Sequence, residues 1–318
     1  MLSKFKSYIA MLKSFYDVNA NEWVVAIRKK GDAKLFEGNF DKFTIVPNSL
    51  KYWYADPFIF TFDDEDYLFV EMYDRKTAKG SIGVARIRNG RCGKFEKIIE
   101  TAYHLSYPFI FCDEKGIHMV PESFSNEKVQ MYKCVKFPYL WEEETVIAEE
   151  CVVDSTRYVS ENTEMWFATR FNSPKERYDD NLSVLSAQSG KFKILKSGLL
   201  SRPAGNFILS DGGIIIRPSQ DCTQTYGGGL VFNRVIVMDA ENYEETPFLK
   251  VYAPGRNADD AKNIVCDKKK YWEYIGIHTY NCNERYEVVD LKYTGGKSIY
   301  LFVLRFKKYL NNKFLKKQ

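Results

Sequence analysis

A motif that returns about every fifty residues constrains this chain more than anything else in it. Four segments align: Tyr54-Ala55-Asp56-Pro57-Phe58, Leu105-Ser106-Tyr107-Pro108-Phe109, Val152-Val153-Asp154-Ser155-Thr156 and Leu200-Ser201-Arg202-Pro203-Ala204. Their third positions, Asp56, Tyr107, Asp154 and Arg202, are spaced by 51, 47 and 48 residues. Fifteen residues after each stands Glu71, Glu122, Thr169 or Arg217. A weaker fifth copy begins at Gly276-Ile277-His278-Thr279-Tyr280. Between the copies run short apolar stretches such as Pro57–Phe62, Tyr67–Glu71 and Ile82–Ile87, bounded by Asp, Asn, Gly and Ser. Such runs read as strands, and repeats of three or four strands at this period read as propeller blades. The expected fold is all-β, a five-bladed β-propeller over residues 21–300. A basic amphipathic segment over 1–20 and a basic tail over 301–318 are expected as short helical ends. The strand Trp23–Arg28 is expected to close the ring by joining the last blade.

Composition excludes several classes. Aromatic residues are 16% of 318, too many for a disordered chain. Lys plus Arg is 46 against Asp plus Glu 42. The resulting charge of +4 is too mild for a dedicated nucleic-acid binder, so no nucleic-acid partner is expected. Seven cysteines without CxxC spacing indicate neither a disulfide framework nor a zinc site. With no export signal or membrane-length apolar run, a cytoplasmic location is expected. Lys and Arg beside Phe and Leu at both ends suit contact with an anionic membrane surface.

Blade geometry locates a site. The first strand of a blade and its antiparallel partner bring the start of one and the end of the other to the same rim. Asp56, Tyr107, Asp154, Arg202 and His278 therefore ring one mouth of the channel, with Glu71, Glu122, Arg170 and Arg217 just outside. The loops Tyr73–Gly80 and Pro218–Gly229 are expected over that face. The acidic hairpin Asp63–Asp66 falls at the opposite end and reads as a solvated turn. Asp56, Glu122 and Asp154 are the candidate catalytic carboxylates, since paired carboxyls facing one funnel suit glycosyl chemistry. Each would otherwise cap a strand. Arg170, Arg202 and Arg217 suit an anionic substrate such as a sugar nucleotide. Alternatively each pairs with a neighbouring acid. Glu71, Tyr107, Gln220, Asp221 and His278 complete the candidate binding set. Channel-mouth carboxylates can also hold Ca²⁺ or Mg²⁺. The run Gly227-Gly228-Gly229 serves either a ligand or a strand start. A strand follows it, not a helix, so a phosphate-cradling loop of the Walker type is excluded.

The segments around Asp56, Tyr107, Glu122, Asp154 and Arg202, with Arg217-Pro218-Ser219-Gln220-Asp221-Cys222, resemble one family. It is the propeller domain at the N-terminus of plant glucosamine inositolphosphorylceramide transferases, found also in bacterial surface-polysaccharide loci. That family is similar in turn to five-bladed family-forty-three glycoside hydrolases. This second resemblance implies a general base at Asp56 and a pKa-tuning carboxylate at Asp154. The fourth-blade acid is replaced by Arg202, which argues against simple hydrolysis. The resemblance implies a glycosyltransferase of surface polysaccharide or glycolipid assembly, using an activated sugar and a glycan or lipid-linked acceptor. A glycoside hydrolase and a non-catalytic carbohydrate-binding propeller are the alternatives.

Overall fold

The computed structural model describes residues 22–160, 163–171, 180–239, 242–256, 262–266 and 274–293, with Val303 and Phe306. The described chain forms five separate, mainly antiparallel sheets, the blades of a propeller. Blade 1 holds Tyr52–Phe62, Glu65–Asp74 and Lys79–Arg88, with two short outer strands. Blade 2 holds Ser106–Asp113, Gly116–Glu122, Val129–Lys136 and Leu140–Ala148. Blade 3 holds Val152–Ser160, Thr163–Arg170, Asn181–Leu185 and Phe192–Ser197. Blade 4 runs from Ile208–Leu209 through Ile215–Asp221 and Gly229–Met238 to Tyr243–Tyr252, with Lys262–Asn263 added in parallel.

Blade 5 is assembled from both ends of the described chain. Glu22–Lys29 pairs along its whole length with Tyr286–Tyr293, whose other edge carries Tyr274–Gly276 and Tyr280–Cys282. The ring thus closes through the N-terminal strand, as the sequence predicts. Such closure leaves no long open edge on the last sheet. The expected amphipathic ends, 1–20 and 301–318, lie outside the described residues apart from Val303 and Phe306. No described helix is long and apolar enough to cross a membrane.

Aromatic side chains fill the wedges between blades. Phe58 and Phe109 meet edge to face at 6.0 Å across blades 1 and 2. Tyr158 and Phe207 meet at 5.3 Å toward blade 4. The hairpin at Asp63–Asp66 is a turn with Asp63 and Asp64 left-handed. It is not wholly solvated, because Asp66 is buried and pairs with Arg285 at 2.7 Å.

The repeat has a specific backbone meaning. In blades 1 to 3 the first strand slips register at Ala55/Phe58, Ser106/Phe109 and Val153/Thr156. The third-position residue of each sits in the left-handed region, with φ 48° at Asp56, 43° at Tyr107 and 56° at Asp154. Each is a bulge that turns the strand at the mouth. Asp tolerates this conformation better than most residues, whereas Tyr107 is held there by its contacts. The offset of fifteen also has a cause: Glu71 lies opposite Ala55, Glu122 opposite Ser106 and Thr169 opposite Val153. Blade 4 departs from it. There Pro203 faces Ser219, and Gln220 N donates to Arg202 O. Gln220, and not Arg217, occupies the rim, and Arg217 lies three residues further from it along the strand.

Candidate active site at the propeller mouth

Two clusters of polar side chains converge on the mouth. The first joins blades 5, 1 and 2. Asp56 is 6% exposed, His278 3% and Asp290 fully buried. Asp290 accepts from the backbone N–H groups of Asp56, His278 and Thr279 at 3.0, 3.1 and 3.0 Å. Its Oδ2 is also 2.7 Å from His278 Nδ1. The other imidazole nitrogen lies 3.5 Å from Asp56 Oδ1. Asp56 accepts in addition from Thr279 Oγ1 at 2.9 Å and from Tyr107 N at 3.1 Å. Burial would lower the His278 pKa, but Asp290 and Asp56 outweigh it and push it up to about 9. Burial raises Asp56 to about 7, with His278 opposing.

Asp56, His278 and Asp290 offer donor atoms within 4.8 Å of one another, so a divalent cation has to be tested here. Both carboxylates already accept protein N–H or O–H groups, and His278 is held by Asp290. Ca²⁺ or Mg²⁺ needs six or more oxygen ligands with free lone pairs. The trio fits a closed hydrogen-bond network and not a metal centre.

The second cluster spans blades 2, 3 and 4 and opens into a cavity of about 640 Å³. That volume lies within the range of small-molecule sites. Glu122, Phe124, Val153, Phe171, Arg202 and Tyr226 are among its walls. Arg202 is fixed from below: its Nε donates to Asp154 Oδ2 at 2.5 Å, and Gln220 Nε2 donates to the same oxygen at 3.2 Å. Asp154 keeps Arg202 charged in spite of burial. Glu122 differs from every other carboxyl here. Among the described residues no hydrogen bond or ion pair holds it. Burial, and then the nearby Asp154 charge, raise it to about 8 against the pull of Arg202 and His104. A carboxyl that keeps its proton at neutral pH in a cavity is equipped to donate it.

The expected site residues divide accordingly. Glu122 and Arg202 line the cavity, with Asp154 and Gln220 directly beneath Arg202. Asp56 and His278 reach the mouth in the separate first cluster. Glu71 is buried and pairs with His104 at 3.2 Å. Tyr107 is fully buried, and its hydroxyl is 2.9 Å from Thr156 Oγ1 and accepts from Gly205 N at 2.8 Å. It ties blade 2 to blades 3 and 4 as a floor strut, so the expected substrate contact is replaced by a structural one. Asp221 accepts from Tyr252 and Thr223 and shapes its loop from inside. Arg170 pairs with Glu150 at 3.3 Å. Arg217 is 1% exposed and is taken up by Glu245 at 2.6 Å, Tyr243 and Ser201 O. The expected arginine clamp is therefore not assembled: each of the three has an acidic partner, and only Arg202 faces the cavity.

Reading the sequence alone missed Asp290 and Tyr226. Asp290 follows His278 by twelve residues in a strand with no motif of its own, so nothing in the chain marks it. Tyr226 is marked by the glycine run after it. Those glycines serve packing: a side chain at Gly227, which has φ 63°, would come within 2.6 Å of the Trp23 ring, and Gly229 starts a strand.

The fold and its mouth define a five-bladed propeller with an acid-bearing cavity. Residues 47–271 match the family model described as glucosamine inositolphosphorylceramide transferase 1, N-terminal. The chain belongs to that family. It is 31% identical over 233 residues to the glucosamine inositolphosphorylceramide transferase 1 of Oryza sativa subsp. japonica, covering 64% of this chain and 29% of that one. The Arabidopsis thaliana protein of the same name is 31% identical over 234 residues, with 64% and 28% covered. The chain thus spans less than a third of the length of these curated relatives. Among solved structures it resembles the catalytic domain of a Coprinopsis cinerea GH62 alpha-L-arabinofuranosidase, with TM-score 0.51, 10% identity, and 86% and 98% of the two chains covered. That likeness is one of fold.

Proposed function

We propose that the cavity at the propeller mouth is a carbohydrate-active site that transfers a glycosyl group in the assembly of a surface polysaccharide or glycolipid. The observation that carries this is Glu122, a carboxyl without a partner among the described residues and raised to about 8 in a cavity beside Arg202. The relatives' name, glucosamine inositolphosphorylceramide transferase, supports the direction of the chemistry. In the proposed step the bond from the sugar's anomeric carbon to the leaving oxygen breaks. The electron pair stays on that oxygen, which takes the Glu122 proton. An acceptor hydroxyl then bonds to the anomeric carbon and returns its proton to the Glu122 carboxylate. Arg202, locked by Asp154, orients the sugar and offsets charge on the departing group. The donor is proposed to be an activated nucleotide or phospho sugar, and the acceptor a glycan or lipid-linked sugar. Basic segments 1–20 and 301–318 are proposed to hold the protein at the cytoplasmic face of a membrane.

A second reading has one specific support. If the acceptor is water, the same proton cycle at Glu122 is hydrolysis, and a carboxyl protonated at neutral pH is what a glycosidase acid requires. Product analysis separates the two. Wild-type protein and Glu122→Gln are incubated with sugar nucleotides plus glycan acceptors, and separately with aryl glycosides. Transfer product that falls about 100-fold in the variant supports the proposal. Release of free sugar from aryl glycosides alone assigns hydrolysis. Turnover unchanged in Glu122→Gln removes Glu122 from the chemistry.

A further inference from the structure

We infer that Tyr226 is the platform on which this site stacks an uncharged pyranose ring. The inference rests on reading the mouth as a carbohydrate site, and it assigns the chemical class of the group that enters the cavity. Tyr226 lines the cavity and is 46% exposed. It thus presents a large apolar face that core packing does not use.

The ring is seated before any ligand arrives. The ring is T-shaped to His278, at 5.5 Å and 86°, and to Trp23, at 6.3 Å and 80°. Trp23 in turn lies flat on His278 at 3.8 Å. The Arg202 guanidinium lies over the ring, 5.1 Å from its centre. Gly227 follows directly, and any side chain there would displace Trp23. An aromatic fixed from several sides loses little entropy when a ligand stacks on it.

The surrounding wall matches the two surfaces of a sugar. Val153, Phe171 and Leu199 present apolar groups, while Glu122, Gln224 and Thr225 present hydrogen-bonding ones. A pyranose has an apolar C–H face and a rim of hydroxyls, and this cavity offers a partner to each. Among the described lining residues the one cation is Arg202, already matched by Asp154, and the carboxyls are Glu122 and Asp180. A nucleobase would also stack on Tyr226, and the nucleotide arm of the test separates the two.

The test is calorimetric titration of wild type, Tyr226→Ala and Tyr226→Phe. The probes are methyl glycosides of glucose, galactose, xylose and N-acetylglucosamine, with uridine diphosphate as competitor. The expected result is binding of at least one pyranoside, weakened about tenfold or more by Tyr226→Ala, retained by Tyr226→Phe, and not displaced by the nucleotide. Melting temperatures of the variants check that the fold is kept. Pyranoside binding unaffected by Tyr226→Ala, displacement by uridine diphosphate, or binding of no pyranoside overturns the inference. If a pyranoside binds through Tyr226 while Glu122→Gln leaves turnover unchanged, the platform stands and the catalytic reading of Glu122 falls.

Discussion

His278 Nδ1 lies 2.7 Å from Asp290 Oδ2, with both groups buried at the seam where blade 5 meets blade 1. The pair holds more than itself, since Asp290 also collects the backbone N–H groups of Asp56, His278 and Thr279. Replacing Asp290 by Asn removes the charge that balances the imidazolium and leaves a buried cation short of a partner. Loss of one member of such a pair costs about 3–5 kcal/mol. Urea denaturation of Asp290→Asn should show that loss, and an unchanged midpoint would mean the pair does not hold the seam.

The mouth also sets the sign of a pH dependence. Glu122 is raised to about 8, Asp56 to about 7 and His278 to about 9. A group whose folded pKa lies above its unfolded one contributes fully below the unfolded value and loses that contribution as pH rises through the folded value. The three together make stability fall as pH climbs from about 4 to about 9. Glu122→Gln removes one of these titrations. It should match wild type near pH 4 and exceed it by on the order of 1 kcal/mol or more at pH 9. Parallel stability curves for the two proteins across that range would contradict the raised Glu122 carboxyl.

Arg217 belongs to the fold and not to the site. Its partner Glu245 has a carboxyl that burial would raise but that Arg217 draws down to about 2. Stability from this depressed group is present above the usual Glu range and is lost as pH falls toward 2. Arg217→Met should cost about 3 kcal/mol, because it leaves buried Glu245 only Lys196 and Tyr243 as partners. Ligand affinity of the folded fraction should stay as in wild type. Selective loss of affinity with normal stability would return Arg217 to the mouth.

Tyr107 and Gly205 make a matched strut. Tyr107→Phe removes the acceptor for Gly205 N, which should cost about 1–3 kcal/mol with ligand binding retained. Gly205→Ala should cost more, because φ is 136° and a side chain would run into the Tyr280 carbonyl. Thermal denaturation ranks the two. Binding lost in Tyr107→Phe at full stability would show that the hydroxyl meets substrate.

Much of this architecture is written locally. The copies at Asp56, Tyr107 and Asp154 mark the bulges themselves, because a bulge at the mouth needs the same short motif in each blade. The offset to Glu71, Glu122 and Thr169 is a hairpin register, which is local pairing and therefore visible as spacing. In blade 4 the same inference slipped by three residues. The chain there makes an irregular excursion through Gly205 and Asn206, and a count along the sequence cannot see a change in pairing. The acidic partners of the arginines were less legible still. Arg217 and Glu245 sit on strands of one sheet with another strand between them, and Arg202 and Asp154 on different blades.

By itself, then, the sequence determined the number of blades, the closing strand and the rim on which Asp56, Glu122, Asp154 and Arg202 gather, since these follow from period and hairpin pairing. Only the tertiary structure decided what each rim residue does there. It buried Asp56 against His278 and Asp290, spent Arg170 and Arg217 on acidic partners, turned Tyr107 into a strut and left Glu122 with no partner among the described residues. Those outcomes depend on which blades touch and on how far each charge lies from water, and both are properties of the closed ring.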